Sequence, residues 1–377
     1  MSIHSSIACN LDSDILLTAL PLLEAEKVQA IEWSFDALYK FQGVPDWFTA
    51  LLHEFSNAGR LIGHGVFFSL FSGKWSAQQQ EWLDQLAALS RTFHFDHITE
   101  HFGFMTGTNF HAGAPISLPY TAGTLALGRD RLQRIHEACG RPVGLENLAF
   151  SYSVDEVKKH GHFLNELIEP INGFIILDLH NFYCQAHNFG LDADALFALY
   201  PLDRVREIHI SGGSWEDSPL LPGRPVRRDT HDDVVPQEVF QLLEYAIGIC
   251  PNLKFVVMEQ LGSALQTEGS REQYRQDFEK MDSIVQRHQR RSGRSVNSFM
   301  PRGLSPSGPP AEDAALYRQQ MQLSDILESA GSYAEAKELL SKSDLAHSAW
   351  KPEEWAPYML DTAMRIAQKW KKGFASK

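Results

Sequence analysis

Several short apolar runs of this chain end abruptly in side chains that can bind metal ions or transfer protons. In 174-FIILDLHN-181, four apolar residues are followed by Asp178, His180 and Asn181. The same change from apolar to acidic or imidazole side chains recurs along the chain. The Asp, Glu and His residues that it singles out are His64, His101, Glu146, Asp178, His209, Asp229, His231 and Glu259.

Four carboxylates and four imidazoles in one pocket would need cations. Like charges at short range strongly raise one another's pKa, so protons or metal ions must compensate Glu146, Asp178, Asp229 and Glu259. Neutral histidines cannot supply that charge, but they bind cations well. Two or three metal ions bridged by carboxylates would solve the problem. A ligand set of nitrogen and oxygen without thiolate suits iron, manganese or zinc.

Each of these residues also has an ordinary structural explanation. A single His at a strand end is usually a hydrogen-bonded core residue, and an Asp there often caps the next helix. We interpret Asp232 and Asp233 as solvated loop charges. The histidines interpreted as structural or surface residues are His94, His97, His111, His160, His162, His187 and His288. Eight metal-type residues at strand ends together favour metal binding.

These side chains can meet only if the strands that carry them lie side by side. The predicted strands are 6–11, 28–34, 60–67, 95–101, 141–147, 173–181, 206–212 and 254–260, and amphipathic helical stretches separate them. This alternation predicts a (β/α)8 barrel, in which active sites lie at the carboxyl ends of the strands. The alternative is an open doubly wound sheet, which the lack of a G-x-G-x-x-G sequence after the first strand weakens.

The composition changes after residue 284. Residues 286–310 are basic and then rich in Ser, Pro and Gly, which predicts a linker. Helical periodicity returns after residue 310. We therefore expect a barrel over 1–285, a linker over 286–310 and a small helical C-terminal module over 311–377, whose aromatic residues either bind a partner or pack against the barrel.

The bulk properties limit the class of protein. The formal net charge of −13 argues against nucleic acid as a partner. The four cysteines form no C-x-x-C pair, and no apolar run approaches the roughly 18 residues of a membrane span. The first residues lack the features of a signal peptide. We expect a cytoplasmic protein with no nucleic-acid or membrane partner.

The motifs at the strand ends resemble, in order, those of the multinuclear non-haem iron-dependent oxidative enzymes, the family that includes the methanobactin biosynthesis oxidase. The resemblance extends from residue 5 to about 285. Its motifs are 63-GHGVFFSL-70, 99-TEHFGF-104, 117-SLPYT-121, 145-LENLAFSY-152, 177-LDLHNFYCQAHNFGLD-192, 203-DRVREIHISG-212, 229-DTHDDVV-235 and 257-VMEQ-260.

The resemblance implies a xylose isomerase-like (β/α)8 TIM barrel with two or three iron ions, as mixed Fe(II) and Fe(III), and O2 as cosubstrate. The implied metal ligands are His64, His101, Glu146, Asp178, Asn181, His209, Asp229, His231 and Glu259, of which Asn181 is the weaker candidate. The expected catalytic residues are Glu146, Asp178, His209 and Glu259. His180 could face the metals or pack behind them. The substrate would be a ribosomally made precursor peptide, commonly oxidised at a cysteine and presented by a small partner protein.

Two positions depart from the family pattern. Many members carry a further His where this chain has Gly213, and Trp-Asp is common where it has Gln260-Leu261. Other metal-dependent barrels remain as alternatives. An abasic-site endonuclease should carry a basic groove, and a sugar isomerase usually supplies a Lys beside the metals, which we do not find at a strand end. A barrel that binds a peptide or a metal as a scaffold is the non-catalytic alternative.

Overall fold

Eight parallel strands close into a barrel in the computed structural model, which describes residues 2–40, 44–108, 113–289, 296–301 and 308–372. The strands are β1 (His4–Ala8), β2 (Ala30–Trp33), β3 (Leu61–Gly65), β4 (Phe95–His101), β5 (Val143–Glu146), β6 (Phe174–Asp178), β7 (Val205–Ile210) and β8 (Phe255–Met258). Pairing of β1 with both β2 and β8 completes the ring. The predicted (β/α)8 barrel is confirmed, and the open doubly wound sheet is wrong.

Nine helices of the described chain accompany the strands. They are α1 (Ser13–Glu24), α2 (Asp46–Asn57), α3 (Ala77–Thr92), α4 (Ala122–Cys139), α5 (Val154–Ile168), α6 (Leu179–Phe189), α7 (Ala193–Phe197), α8 (Gln237–Ile249) and α9 (Glu268–Arg287). Capping boxes begin α3, α4 and α9, where the hydroxyls of Ser76, Thr121 and Thr267 accept from the backbone three residues later. These caps satisfy amide groups that have no partner within the helix.

The first strand begins two residues earlier in the structure than in the prediction, which placed it at 6–11. The strand β1 ends at Ala8, and Asp12 already caps α1 by accepting from the backbone of Asp14 and Ile15. The cap therefore ends the extended segment sooner than its apolar pattern does. Each of the other seven predicted strands contains or overlaps the observed strand.

Side chains inside the barrel are apolar at its amino end and polar at its carboxyl end. Ala30, Ile62, Phe255 and Val257 form a small buried cluster of their own. Because successive side chains of a strand point to opposite faces, the residues two positions further on share the interior with them. These residues include Glu32, His64 and Glu259, so the sheet that buries the apolar cluster also directs these polar groups inward.

Two short antiparallel ribbons lie in the loops that follow strands β4 and β7. Phe104–Met105 pairs with Pro115–Ile116, and Trp215–Glu216 pairs with Val226–Arg227. Short 3-10 helices occupy Phe35–Lys40, Glu169–Ile171, Leu202–Arg204, Gly262–Ala264 and Pro352–Glu354. Within the described ranges, no helix is both long and apolar enough to cross a membrane.

Three further helices, α10 (Ala314–Ser329), α11 (Tyr333–Ser341) and α12 (Pro357–Lys371), form the C-terminal extension. The segment that connects α11 to α12 packs against loops of the barrel. The ring of Trp355 stacks on Tyr152 with centroids 3.8 Å apart, and Trp350 packs edge-on against Phe104 at 5.9 Å. Both tryptophans are buried. Trp350 and Trp355 of the extension therefore pack against the barrel itself.

The segment between α9 and α10 is described only in part, since residues 290–295 and 302–307 lie outside the described chain. Phe299 is fully buried and packs against Phe174, the first residue of β6, with ring centroids 5.6 Å apart. Asn297 donates a hydrogen bond to Asn172. Residues 296–301 therefore contact the amino end of the barrel, opposite the strand ends that carry the candidate ligands.

Candidate metal centre

Six of the predicted ligands lie in consecutive strands at the carboxyl end of the barrel. His64 is in β3, His101 ends β4, Glu146 ends β5, Asp178 ends β6, His209 is in β7, and Glu259 directly follows β8. The register pairs His101 with Glu146 and Asp178 with His209. Asp229 and His231 come from the loop between β7 and α8, and Asn181 is in the first turn of α6. The barrel thus brings all nine residues towards one rim. Asp229 lies 2.9 Å from His231 Nε2 but belongs to no group of clustered ligand atoms.

His64, His101 and Glu146 form the first of three overlapping groups that line the pocket and whose ligand atoms lie within 4.8 Å of one another. A fourth such group, Glu32, Glu207 and His209, lies beneath them. The Nε2 atoms of His64 and His101 lie 3.3 Å and 3.4 Å from Glu146 Oε2. His101 Nδ1 donates to the carbonyl of Gly65 at 3.1 Å, so its Nε2 carries the lone pair when the ring is neutral. His64 does the same through Thr99, whose hydroxyl donates to Gly63 and accepts from His64 Nδ1. Both free nitrogens therefore face the same carboxylate oxygen.

The other two groups extend this one across the barrel. Glu146, Asp178 and His209 form the second, and Asp178, His231 and Glu259 form the third, each within the same 4.8 Å limit. Adjacent groups share Glu146 and then Asp178. Carboxylates can bridge two cations because each has two oxygens with several lone-pair positions. The arrangement can therefore hold two or three metal ions in a row.

Several polar atoms in and beside these groups are buried and make no hydrogen bond of good geometry in the described structure. They are Glu146 Oε2, Asp178 Oδ2, Asn181 Oδ1, His209 Nδ1 and His231 Nε2. A buried polar atom without a partner is costly, which makes such atoms rare and in need of an explanation. Bound cations would satisfy all five at once, so the residues present fit a metal centre of nitrogen and oxygen ligands.

Asp178 both caps a helix and belongs to the metal groups. Its Oδ1 accepts from the backbone of Asn181 at 2.6 Å and so begins α6, whereas its Oδ2 faces the pocket. The amide of Asn181 donates to Glu146 Oε1 at 3.1 Å. Asn181 therefore lies beside the shared carboxylate, with its own oxygen still free.

His231 is held in an unusual backbone conformation. Its φ of 51° lies in the left-handed region, which costs a residue with a side chain about 1–2 kcal/mol. The carbonyl of His231 accepts a hydrogen bond from Leu261 N at 2.8 Å, next to the loop that carries Glu259. This contact fixes the imidazole against the carboxylates of Asp229 and Glu259, 2.9 Å and 3.9 Å away.

The pocket has a closed inner side and an open outer side. The side chains of His64, Asp178 and His209 are at most 2% exposed, whereas His101 and His231 keep 25% and 26% of their surface accessible. The accessible pair belongs to the first and third groups. A substrate would therefore reach the centre along the side where these two histidines lie.

The electrostatics of the pocket are dominated by charge pairs. Burial alone would lower the pKa of His209, but the charges of Glu32 and Glu259 raise it well above its usual value. Burial raises the pKa of Asp178 well above its ordinary value, and the charge of Glu146 adds to the effect. Burial also opposes ionisation of Glu259, but His209 and His231 lower the pKa of that carboxyl. The carboxylates around His209 and His231 thus favour protonation of these two imidazoles, and metal binding would displace those protons.

Two buried acids that the strand-end reasoning missed lie beneath His209. Its Nε2 lies 3.1 Å from Glu32 Oε2 and 3.4 Å from Glu207 Oε1. Because Nε2–H donates to Glu32 Oε2, Nδ1 is left to face the pocket. The sequence signal was an acid inside an apolar strand, as in 30-AIEW-33 and 205-VREIHI-210. A carboxylate behind a metal-binding His commonly fixes its orientation.

Other polar residues near the strand ends turn away from the pocket. Glu100 is buried beside Gly65 on the outer face of the sheet, where burial and the charge of Asp36 raise its pKa well above the ordinary value. His97 lies inside the barrel but pairs with Glu207 at 2.6 Å, nearer the amino end. His160 is buried and accepts from Leu148 N. His111 lies outside the described residues.

His180, whose direction the sequence left open, packs behind the ligands. Its Nδ1 lies 3.1 Å from Asp229 Oδ1, and its Nε2 accepts from Arg227 Nε at 3.0 Å. Both ring nitrogens are therefore occupied by protein contacts, which leaves neither for a metal ion.

Comparisons with known proteins agree with this geometry. A family model described as the RiPP precursor modification enzyme MbnB/TglH/ChrH matches residues 23–261. A UPF0276 protein of Caulobacter vibrioides is 29% identical over 187 residues, which are 49% of this chain and 63% of that protein. One of Rhizorhabdus wittichii is 30% identical over 185 residues, again 49% and 63% of the two chains. The chain thus aligns with less than two thirds of the length of these relatives.

The barrel also resembles solved structures. The crystal structure of a xylose isomerase domain protein from Planctomyces limnophilus superimposes with a TM-score of 0.50 at 13% identity, over 76% of this chain and 99% of that one. This likeness shows the fold alone. The family match is more specific, because it covers more than half of the chain and includes every residue of the three overlapping groups. This chain therefore belongs to the RiPP precursor modification enzyme family MbnB/TglH/ChrH.

Proposed function

We propose that this protein is a multinuclear iron enzyme that uses O2 to oxidise a residue, most often cysteine, of a ribosomally synthesised precursor peptide. The observation that carries the proposal is the row of three ligand groups that share Glu146 and Asp178. Iron ions held in neighbouring sites would accept the electrons that a multi-electron oxidation takes from one residue, and would pass them to O2. Membership of the family supports a precursor peptide as the substrate.

Each ion would be held by one group of side chains. His64, His101 and Glu146 would hold the first, Glu146, Asp178 and His209 the second, and Asp178, His231 and Glu259 the third, with Asn181 and Asp229 alongside. Iron bound there, as mixed Fe(II) and Fe(III), would supply the redox equivalents for O2 and the Lewis acidity that draws in a thiolate. Four residues are proposed as catalytic because each belongs to the second or third group: Glu146, Asp178, His209 and Glu259.

The protein's own side chains leave a place for an external thiolate. Cys9, Cys139, Cys184 and Cys250 are all buried, and none belongs to the three ligand groups. Burial raises the pKa of Cys9 and Cys139 to about 12, so these thiols stay protonated. A sulfur ligand would therefore come from the substrate, along the side where His101 and His231 are accessible.

The closed inner side of the pocket also keeps water away from the metal ligands. His64, Asp178 and His209 are shielded from solvent, so little water reaches the inner groups. Water exclusion strengthens the attraction between carboxylates and cations and protects reactive oxygen chemistry from side reactions. The inner residues would thus hold the ions while the outer residues admit O2 and the peptide.

The peptide would be brought by a small partner protein, as the family resemblance implies. A cysteine substrate must remain reduced before the reaction, which fits a cytoplasmic location. Nucleic acid and membrane are not among the partners we propose.

No specific observation favours an isomerase or an endonuclease. Lys254 directly precedes β8. It pairs with Asp96 at the amino end of the barrel, away from the ligand groups. Lys254 therefore cannot serve as the lysine that an isomerase would require beside the metals.

The test is anaerobic purification, reconstitution with Fe(II), and elemental analysis, followed by incubation of a cysteine-containing precursor peptide with and without O2. We expect two or three irons per chain and an O2-dependent mass change that the Cys→Ser peptide does not show. Stoichiometric zinc as the sole activating metal would overturn the iron assignment. Cleavage of an abasic-site duplex that Glu259→Ala abolishes would favour the endonuclease instead.

A further inference from the structure

Asp229 is held from behind by a side chain that the metal groups do not include. His180 Nδ1 lies 3.1 Å from Asp229 Oδ1, and Arg227 Nε donates to His180 Nε2 at 3.0 Å. His180 is fully buried and Arg227 is 3% exposed. The three residues form a line that starts at the loop ribbon and ends at a candidate ligand.

The line has a defined direction of donation. An arginine Nε carries a hydrogen and has no lone pair, so it can only donate. His180 Nε2 must therefore accept, which places the ring hydrogen of neutral His180 on Nδ1. That hydrogen is donated to Asp229 Oδ1. Because Oδ1 accepts this hydrogen, Oδ2 is the oxygen of Asp229 left for a cation.

Arg227 is itself fixed on several sides. Its guanidinium lies 4.8 Å from the ring of Trp215 and 5.9 Å from that of Tyr183. Its backbone N donates to Asn188 Oδ1 at 2.8 Å, and its carbonyl accepts from Asn188 Nδ2 at 2.9 Å. Arg227 forms no ion pair with any residue that the structure describes. Its directed polar contact through the side chain is the one to His180.

His180 can occupy its position because residue 213 is a glycine and has no side chain. A Cβ on Gly213 would lie 2.8 Å from His180 Cε1 and 2.2 Å from the carbonyl of Arg228. Both distances are shorter than the van der Waals contact distance of a carbon atom with another carbon or with an oxygen. The imidazole behind Asp229 and the glycine at 213 therefore depend on each other in this chain.

We propose that Arg227 and His180 act as a positioning relay, in which Arg227 fixes the tautomer of His180 and His180 orients Asp229 toward the metal centre. His180 is a positioning residue and not a ligand. The inference rests on the proposed metal centre and assigns to it two residues outside the three ligand groups.

The test compares iron binding by His180→Leu, His180→Asn, Arg227→Met and the His180→Leu/Arg227→Met double variant with the wild type. Affinity is measured anaerobically with Fe(II) against a competing chelator, and the melting temperature of each metal-free protein is recorded. His180→Leu removes the donor to Asp229, and losing such a supporting contact typically weakens metal affinity about 10- to 100-fold. Asn carries an N–H where Nδ1 stands, so His180→Asn should stay within about threefold of the wild type.

If His180→Leu fails to fold, Arg227→Met tests the same relay. Arg227→Met should weaken one iron site by a similar factor. The double variant should be no weaker than His180→Leu, because both changes interrupt the same line. A purely structural role would lower the melting temperature of both His180 variants without the rescue by Asn.

The possible results separate the two proposals. Wild-type iron affinity in His180→Leu or Arg227→Met would overturn the relay while the metal centre stands. Loss of iron in both His180 variants with none in Arg227→Met would make His180 a direct ligand, which also overturns it. A wild-type protein that binds no metal ion would refute the proposed function together with the relay.

Discussion

At the scale of single residues, Glu146 is the side chain on which the metal row depends most. Its Oε2 lies 3.3 Å and 3.4 Å from the two histidine nitrogens, and the residue belongs to two of the three groups. We expect Glu146→Gln to lose at least one iron per chain, because a neutral amide bridges two cations poorly. Elemental analysis after anaerobic reconstitution measures the loss.

Glu100 offers a matched control for Glu146. It is a buried Glu on the adjacent strand, but its side chain faces Gly65 and not the pocket. Burial raises the pKa of this carboxyl well above its ordinary value, which favours the neutral form, so we expect Glu100→Gln to change little charge. Glu100→Gln should keep the full iron content. Equal iron contents in the two variants would contradict the bridging role of Glu146.

Glu32 supports a different ligand. Its Oε2 lies 3.1 Å from His209 Nε2, on the side away from the pocket. We expect Glu32→Leu to weaken iron binding about 10- to 100-fold, because it removes the acceptor that orients the imidazole. Glu32→Gln keeps an accepting oxygen and should lose less. Chelator competition with the two variants measures the difference, and identical affinities would show that Glu32 does not orient His209.

At the scale of elements, strand β5 must lie close to β6 for Glu146 and Asp178 to share the pocket. A Cβ on Gly144 would lie 2.4 Å from the ring of Phe174, so a side chain cannot enter without moving one strand. We expect Gly144→Ala to lower the free energy of unfolding by about 1–3 kcal/mol, the usual cost of overpacking a core. Urea denaturation of the metal-free protein measures it.

Gly248 is the control for this substitution. It lies in helix α8 with nothing within 4 Å of an added Cβ, and its side of the helix is exposed. Gly248→Ala should raise stability by about 0.5–1 kcal/mol, since alanine is the better helix former. Opposite signs for the two glycines are the expected outcome. A Gly144→Ala protein as stable as the wild type would mean that β5 and β6 can separate.

At the scale of the whole molecule, the C-terminal helices and the barrel share one hydrophobic core. Tyr152 and Phe104 of the barrel pack against Trp355 and Trp350, and Gln320 of α10 bonds to the backbone of Phe71 and Gly73. Removal of the chain after Pro309 would expose these surfaces. We expect the shortened protein to melt at a lower temperature and to aggregate, as scanning calorimetry and light scattering would show.

A single substitution reports on the same interface without deleting chain. Trp355→Ala should cost about 3–5 kcal/mol, as burial of a large aromatic side chain predicts. Trp47 is 57% exposed, so Trp47→Ala should cost much less. If the truncated protein instead kept its melting temperature and its iron but bound the precursor peptide less tightly, the extension would serve recruitment and not stability.

The sequence by itself determined the barrel and the set of candidate ligands. Strand and helix periodicity are local properties, so eight apolar runs separated by amphipathic segments predicted the architecture although individual bounds moved. The tertiary structure decided which polar residue of each strand faces the interior. Glu100 and His101 are adjacent at one strand end, yet pleating directs one outward and the other into the pocket. The sequence marks Glu32 and Glu207 as acids inside apolar strands, but it cannot show that they contact His209, nor the direction of His180. These features depend on contacts between residues up to 177 positions apart.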